Sequence, residues 1–383
     1  MERFLKAARF IEGSADGILI SSGVHMFYFT GSIFNGYIYL SGDGRALSFV
    51  RKRTASAPKD AFPIRKIEDI PAILAREGLT PGRLMVEDDY LSAREYRRVE
   101  ACFSGAELVP SCLRMLRAEK DEAEVAAIAE TCAGLEEVYG KAASLYTYGM
   151  TDRELTLLLE IELLKKGHLG RFPVFGSGMD IGFGGSVLGG DNAMVASPYD
   201  FAVGGAGAHP VAPIGACGAV LKKGQSVLLD MGLLTNGYMG DVSRCFSVGR
   251  LPDEAYRLHD LSIDICKALQ EMGKPGVLCS ELYNKAMSMI EEAQATAVFM
   301  EAFNGTRFVG HSLGLEINEL PVLSGGYKQA LRENMVLAIE PKFILPGVGP
   351  LGVENTYAVK AEGLVPLHTS PMGIVDLLQS EGV

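Results

Sequence analysis

Residues 226–244 read S-V-L-L-D-M-G-L-L-T-N-G-Y-M-G-D-V-S-R. Apolar runs on either side of Asn236-Gly237 predict two strands joined by a two-residue turn, a strong short-range hairpin signal. In that register Asp230 lies opposite Ser243, and Asp241 is two residues from Ser243 on the same strand. Side chains two apart share a face, so Asp230 and Asp241 become diagonal neighbours, with backbones about 7–8 Å apart. Two converging carboxylates repel, and one tends to keep its proton unless a cation joins them.

Three further motifs extend the pattern: G-H-S-L-G-L-E-I-N-E-L-P at 310–321, M-V-L-A-I-E-P at 335–341 and L-G-V-E-N-T at 351–356. They contribute His311, Glu340 and Glu354, and Pro341 marks an edge or an end of strand pairing. Taken singly, each has an ordinary role: a turn or cap for Asp230, a hydrogen-bonded core histidine for His311, an edge-strand gatekeeper for Glu340. Taken together, four acids in or beside apolar runs are not ordinary. A buried carboxylate is costly without a positive partner, and no Lys or Arg recurs beside all four. The economical reading is a metal centre holding two ions. A shell of histidine and carboxylates suits Mn, Co, Fe or Zn and is unlike a thiolate structural zinc site.

A length of 383 residues exceeds one ordinary core, so two domains are expected. The composition, 48% hydrophobic and 22% charged, is that of a globular protein. A net charge of −11 argues against a general nucleic-acid or anionic-membrane surface. Seven cysteines without a C-x-x-C pair argue against a disulfide framework and for reduced thiols in the cytoplasm. The charged first residues lack a secretory apolar segment, and no run of about 18 apolar residues predicts a membrane span.

Residues 17–52 read as strands and turns, H-M-F-Y-F-T-G at 25–31 included, with S-G-D-G at 41–44 as a hairpin turn. A short helix beginning at Pro71, a strand in R-L-M-V-E-D-D-Y and a helix over 91–103 complete an α/β block. The composition shifts at L-R-A-E-K-D-E-A-E, placing a domain boundary there. A long helix is predicted to about Tyr146, and T-D-R-E at 151–154 has the form of a capping box opening the next. The Gly-rich stretch 174–208 reads as a long loop that shapes a pocket, without a phosphate-binding signature. Two helices, beginning near 251 and 280, and strands over 335–345 and 352–359 complete the chain.

The five residues in this order resemble the signature of the pita-bread metallopeptidase family, which includes prolidase, aminopeptidase P, methionine aminopeptidase and the metal-free creatinase. The matching words are D-M-G-x(4)-G-Y-x-x-D-x-S-R, G-H-x-x-G-x-x-x-x-E-x-P, I-E-P and V-E-N-T. F-Y-F-T-G-S and V-E-D-D-Y-L-S resemble the creatinase-type amino domain, and K-D-E-A-E-V-A-A-I resembles the start of the catalytic domain. The resemblance implies an α/β (α+β) chain, with a creatinase-like N-terminal α/β domain at 1–118 and a pita-bread catalytic domain at 119–383.

It also implies roles. Asp230 would hold one metal through both oxygens, Asp241 and Glu354 would bridge two metals, and His311 and Glu340 would complete the second ion. The two divalent ions would be Mn, with Co, Zn or Fe as alternatives. Glu340 would act as the proton carrier, and His209 would contact substrate and steady the tetrahedral intermediate. Asn318 stands where the family carries a second His, as a further substrate-side donor, and Gly352 stands where prolidase-like members carry an Arg. The expected reaction is hydrolysis of a peptide bond near a peptide N-terminus, Xaa-Pro in particular. The alternatives are another C–N hydrolase on the same fold or a non-catalytic binding relative. The implied setting is a cytoplasmic homodimer acting on peptides, with neither nucleic acid nor membrane as partner.

Overall fold

The computed structural model describes residues 2–111, 113–176 and 184–378. The chain forms two compact units, Met1–Arg117 and Ala118–Val383.

The first unit contains α1 (Glu2–Ile11), β1 (Gly17–Ile20), α2 (Gly23–Thr30), β2 (Gly36–Ser41), β3 (Ala46–Val50), β4 (Phe62–Pro63), α3 (Ile70–Arg76), β5 (Arg83–Val86), α4 (Ala93–Cys102), β6 (Glu107–Pro110) and a single turn, α5 (Leu113–Leu116). Its six strands form one mixed sheet in the order β4-β3-β2-β1-β5-β6. Leu19, Tyr39, Phe49, Leu84 and Val86 pack from the sheet against Ile70, Leu74 and Val99. One expectation is corrected: residues 25–31 are helical, not extended. Ser22 caps the first turn by accepting from the His25 amide, and Gly31 closes the last turn at φ 69°. Both faces of this helix bury bulky groups, so the sequence shows neither alternation nor a polar stripe.

The second unit opens with α6 (Glu122–Tyr139), α7 (Ala142–Leu145) and α8 (Asp152–Lys165). The predicted long helix therefore stops at Tyr139, and the capping box at Thr151 forms as expected. Then come β7 (Gly185–Gly189), β8 (Ser226–Thr235), β9 (Tyr238–Ser247), α9 (Asp253–Met272), α10 (Cys279–Glu292) and α11 (Glu301–Asn304). The remainder is β10 (Gly310–Ser312), β11 (Glu319–Val322), β12 (Val336–Ile339), β13 (Phe343–Leu345), β14 (Gly349–Leu351), β15 (Asn355–Lys360), β16 (Gly363–Pro366) and β17 (Val375–Asp376). The sheets run β17-β9-β8-β7 and β11-β10-β12-β15-β16, with β13-β14 as a separate ribbon.

The Gly-rich stretch is not one loop. Residues 185–189 pair with β8 as β7, placing Ser186 beside Asp230, and a 3₁₀ turn, Gly190–Met194, follows. Residues 177–183 of that stretch lie outside the described residues. As expected, Pro341 ends pairing: β12 stops at Ile339 and the chain resumes as β13. Among the described residues, no helix is long and apolar enough to cross a membrane.

Candidate metal centre

The β8–β9 hairpin has the expected register, with Asp230 opposite Ser243 and Gly232 opposite Asp241. Asn236 and Gly237 both have positive φ, 51° and 83°, as a turn matched to the twist of the strands requires. The two larger sheets meet beside this hairpin at an isolated bridge, where Ser243 and Glu354 exchange backbone hydrogen bonds of 3.3 and 3.2 Å. β10 carries His311 alongside Ala338 of β12, and Glu340 follows the end of that strand. All five predicted ligands thus face one small volume, His311 Nε2 lying 3.3 Å from Glu340 Oε1 and 3.7 Å from Asp241 Oδ2.

A sixth side chain shares that volume. Lys342 Nζ donates to Asp230 Oδ2 at 3.0 Å, Glu340 Oε2 at 2.7 Å and Glu354 Oε2 at 2.9 Å, with its side chain fully buried. In sequence no Lys or Arg recurs beside all four acids; in the fold one lysine contacts three of the four. The available signal was its spacing, two residues after Glu340, which puts both side chains on one face of an extended segment. Ser243 Oγ lies within hydrogen-bond reach of Asp230 Oδ1, at 2.8 Å, and of Glu354 Oε2, at 2.5 Å. Its single proton serves one of these two acids at a time.

The other half of the cluster is held differently. Asp241, His311 and Glu354 each offer one ligand atom, all within 4.8 Å of one another. His311 Nδ1 donates to the Ser312 carbonyl at 3.1 Å, which leaves Nε2 facing the acids. Burial pushes the Asp241 carboxyl well above its ordinary range, repulsion from Glu354 adds to this, and the His311 charge opposes it. Burial also works against a charged His311, but the Glu340 hydrogen bond and the surrounding carboxylates outweigh it and hold the ring at about 9. Glu340 is held below its usual range, because Lys342 and His311 overcome the cost of burial. Burial pushes the Asp230 carboxyl up as well, with the Lys342 charge opposing it, and the rise is greater at Asp241.

Neighbouring elements fix these positions. Tyr139 of α6 donates through its hydroxyl to the Val242 carbonyl at 2.7 Å and accepts from the Met231 amide at 2.8 Å, next to both aspartates. Arg244 donates to the Ser243 and Glu354 carbonyls at 2.8 and 2.9 Å, behind the bridge. Ser262 and His259 of α9 accept from the amides of Val353 and Gly352, aligning the approach to Glu354. Lys120, buried beside β10, donates to Ser312 Oγ at 3.0 Å and Glu319 Oε2 at 3.1 Å. These supports went unread in the sequence, apart from Glu319 as part of a motif.

The three other predicted positions differ from the five. Asn318 spends both ends of its amide on one residue: Nδ2 donates to the Phe175 carbonyl at 2.8 Å, and Oδ1 accepts from the Phe175 amide at 2.7 Å. In this way it pins the segment at Phe175. His209 is exposed, and its Nδ1 accepts from the Val211 amide at 3.2 Å within its own turn, not from the acidic cluster. At Gly352, φ is 121° and a Cβ would meet the Pro341 carbonyl and Ser262 Oγ at 2.9 Å. A side chain such as Arg is excluded there by backbone conformation as well as by space.

Comparison with known proteins agrees with this architecture. The model of metallopeptidase family M24 matches residues 114–361, and that of the creatinase/prolidase N-terminal domain matches residues 6–118. Among curated relatives, the Xaa-Pro dipeptidase of Pyrococcus horikoshii is 25% identical, covering 94% of this chain and 95% of the relative. That of Pyrococcus furiosus is 26% identical, covering 94% and 96%. Among solved structures, the X-Pro aminopeptidase of Thermotoga maritima superposes with a TM-score of 0.79 at 22% identity, covering 97% of this chain and 99% of that one. The prolidase of P. horikoshii gives 0.78 at 21% identity, with the same coverage. The fold is that of a creatinase-type amino domain followed by a pita-bread catalytic domain, and the chain belongs to metallopeptidase family M24.

Proposed function

We propose that this chain hydrolyses a peptide bond next to proline near the N-terminus of short peptides. Residues 1–118 act as the creatinase-type domain and residues 119–383 carry the catalysis. The observation that carries this reading is the convergence of Asp241, His311, Glu340 and Glu354 in one small volume. The relatives named above as Xaa-Pro dipeptidases, spanning nearly the whole chain, support the choice of substrate.

The donor set of carboxylate oxygens and one imidazole nitrogen fits a divalent ion, Mn first, with Co, Zn or Fe as alternatives. Asp241, His311, Glu340 and Glu354 would hold it. The partner ion expected at Asp230 does not fit in the same way, because the Lys342 ammonium is already bonded to Asp230 Oδ2 and Glu354 Oε2, the acids that ion would share. When bound, the ion supplies Lewis acidity towards the scissile carbonyl and acidifies a water molecule. Glu340, with Oε2 fixed by Lys342, takes a proton from the attacking water and returns it to the leaving nitrogen, so that a C–O bond forms as the C–N bond breaks. His209 donates to the developing oxyanion. Its loop lies close to the strand beside Asp230: a Cβ at Gly215 would come within 2.9 Å of Ser186 Oγ. Asn318 acts as a positioning residue through Phe175.

Six described cysteines are unpaired, which supports a reducing, cytoplasmic setting. The homodimer implied by the family resemblance is checked by sedimentation. The functional test is hydrolysis of Ala-Pro, Ala-Pro-Ala and Ala-Ala by Mn-loaded protein. Cleavage of either proline peptide, lost in Glu340→Gln by on the order of 10²-fold or more, is expected. Turnover of Ala-Ala alone would replace proline specificity with another C–N hydrolase reading. His209→Ala should keep its metal and lose turnover by on the order of 10²-fold, whereas loss of metal would make His209 a ligand.

A further inference from the structure

We infer that the Lys342 ammonium permanently occupies the place of the cation that Asp230 would otherwise bind, so that each chain takes one divalent ion instead of two. This rests on the metallopeptidase reading of the site. The argument is one of donor and acceptor capacity. An ammonium group has three N–H donors and no acceptor. Lys342 directs hydrogen bonds to Asp230, Glu340 and Glu354 at 2.7–3.0 Å, from a side chain with no exposure to solvent. Its donors are thereby spent. Asp230 gives Oδ2 to Lys342, and its Oδ1 lies 2.8 Å from Ser243 Oγ, whose single proton it shares with Glu354 Oε2 at 2.5 Å. Glu354 meets the ammonium through the same Oε2.

That other side is built differently. Asp241, His311 and Glu354 present ligand atoms within 4.8 Å of one another, and among the described residues no basic side chain other than His311 is bonded to Asp241. Charge balance agrees. A dication beside Lys342 would crowd two positive groups against the same oxygens of Asp230 and Glu354, whereas one dication at Asp241 and His311 leaves each cation its own acids. A lysine here also differs chemically from a metal. It neutralises charge and fixes orientation, but it offers no open position to a water or a carbonyl, so it cannot act as a second Lewis acid.

The experiment is metal stoichiometry on the full-length chain, stripped with chelator, reloaded with excess Mn²⁺ and desalted. Metal content is read by elemental analysis and the paramagnetic resonance spectrum is recorded on the same sample. The wild type should hold one Mn per chain with the spectrum of an isolated ion. Lys342→Ala, reloaded in the same way, should hold two with an exchange-coupled spectrum. Two Mn in the wild type, none in the wild type, or one in a folded Lys342→Ala would each overturn the inference. Should Lys342→Ala fail to fold, Asp230→Asn decides. It should still bind one Mn with affinity within about threefold, whereas loss of the ion would make Asp230 a ligand and overturn the assignment. Peptidase assays on the same samples keep the two readings apart. One Mn without cleavage of proline peptides removes the substrate reading and leaves the inference standing, while two Mn with cleavage does the opposite.

Discussion

Tyr139 sets one phenolic oxygen between two strands, satisfying the Met231 amide and the Val242 carbonyl at once. Tyr139→Phe leaves both buried groups unpaired and should lower stability by about 1–3 kcal/mol. The urea midpoint measures this, and an unchanged midpoint would show that water replaces the hydroxyl. Asp241→Ala removes the acid least compensated by the chain itself. It should abolish hydrolysis supported by added divalent metal, and Mn²⁺ should raise the Tm of the wild type but not of this variant. A variant that still binds Mn and turns over near the wild-type rate would remove Asp241 from the ligand set. The acids were legible in sequence because each interrupts an apolar run at a position where a solvated carboxylate has no place. Lys342 was not, because reading outward from Glu340 stopped at Pro341, and the lysine's role appears only once β8, β12 and the segment at Glu354 converge on it.

Arg244 joins three elements: it reaches the backbone of Ser243 and Glu354, Glu136 of α6 at 3.2 Å and Ser370 beyond β16 at 2.7 Å. Arg244→Met leaves the Ser243 and Glu354 carbonyls without their guanidinium donor and Glu136 with only His368 and Ser370, and should cost about 1–3 kcal/mol in urea unfolding; an unchanged midpoint would show that water replaces the guanidinium. Burial works against ionised Glu136, but hydrogen bonds from His368 and Ser370 prevail and lower it from its ordinary 4.5 to about 2. A carboxyl depressed on folding gives stability that is present above its ordinary value and lost as pH falls through the folded one. Wild-type Tm should therefore decline between pH 4.5 and 2, and Glu136→Gln should flatten that part of the curve. Equal slopes would assign the acid sensitivity elsewhere. Asn318→His cannot reproduce the two-ended amide contact, so exchange at the Phe175 amide should quicken while Mn content stays the same. Among elements, the hairpin was fully legible, because a two-residue turn dictates its register. Helix α2 was not: aromatic residues suggest strands, and only the Ser22 and Gly31 caps with burial on both faces favour the helix.

At the scale of the whole chain, the two units divide the thermodynamics. A ligand that binds only the folded site stabilises the unit that holds it, by about 2.7 kcal/mol at a hundred times Kd. Mn should therefore slow hydrogen exchange across residues 118–383 while leaving the six-stranded sheet of residues 1–117 unchanged. Equal slowing in both units would show that they open as one. The two-unit organisation was legible from chain length and the composition shift, whereas the meeting of two sheets at Ser243 and Glu354 was not, since an isolated bridge has no periodicity to betray it. During synthesis the hairpin emerges first, and hairpins close in about 1–10 μs. Asp230 therefore waits, hydrated, for Lys342, which lies 112 residues downstream. At about 5–20 residues per second, that interval lasts roughly 6–22 seconds. Glu340 and Lys342 then arrive on the same short segment, so the chain brings its own counter-ion at the moment it adds a third acid. The cluster can close in a cell starved of manganese, and the metal becomes a late addition to a finished fold.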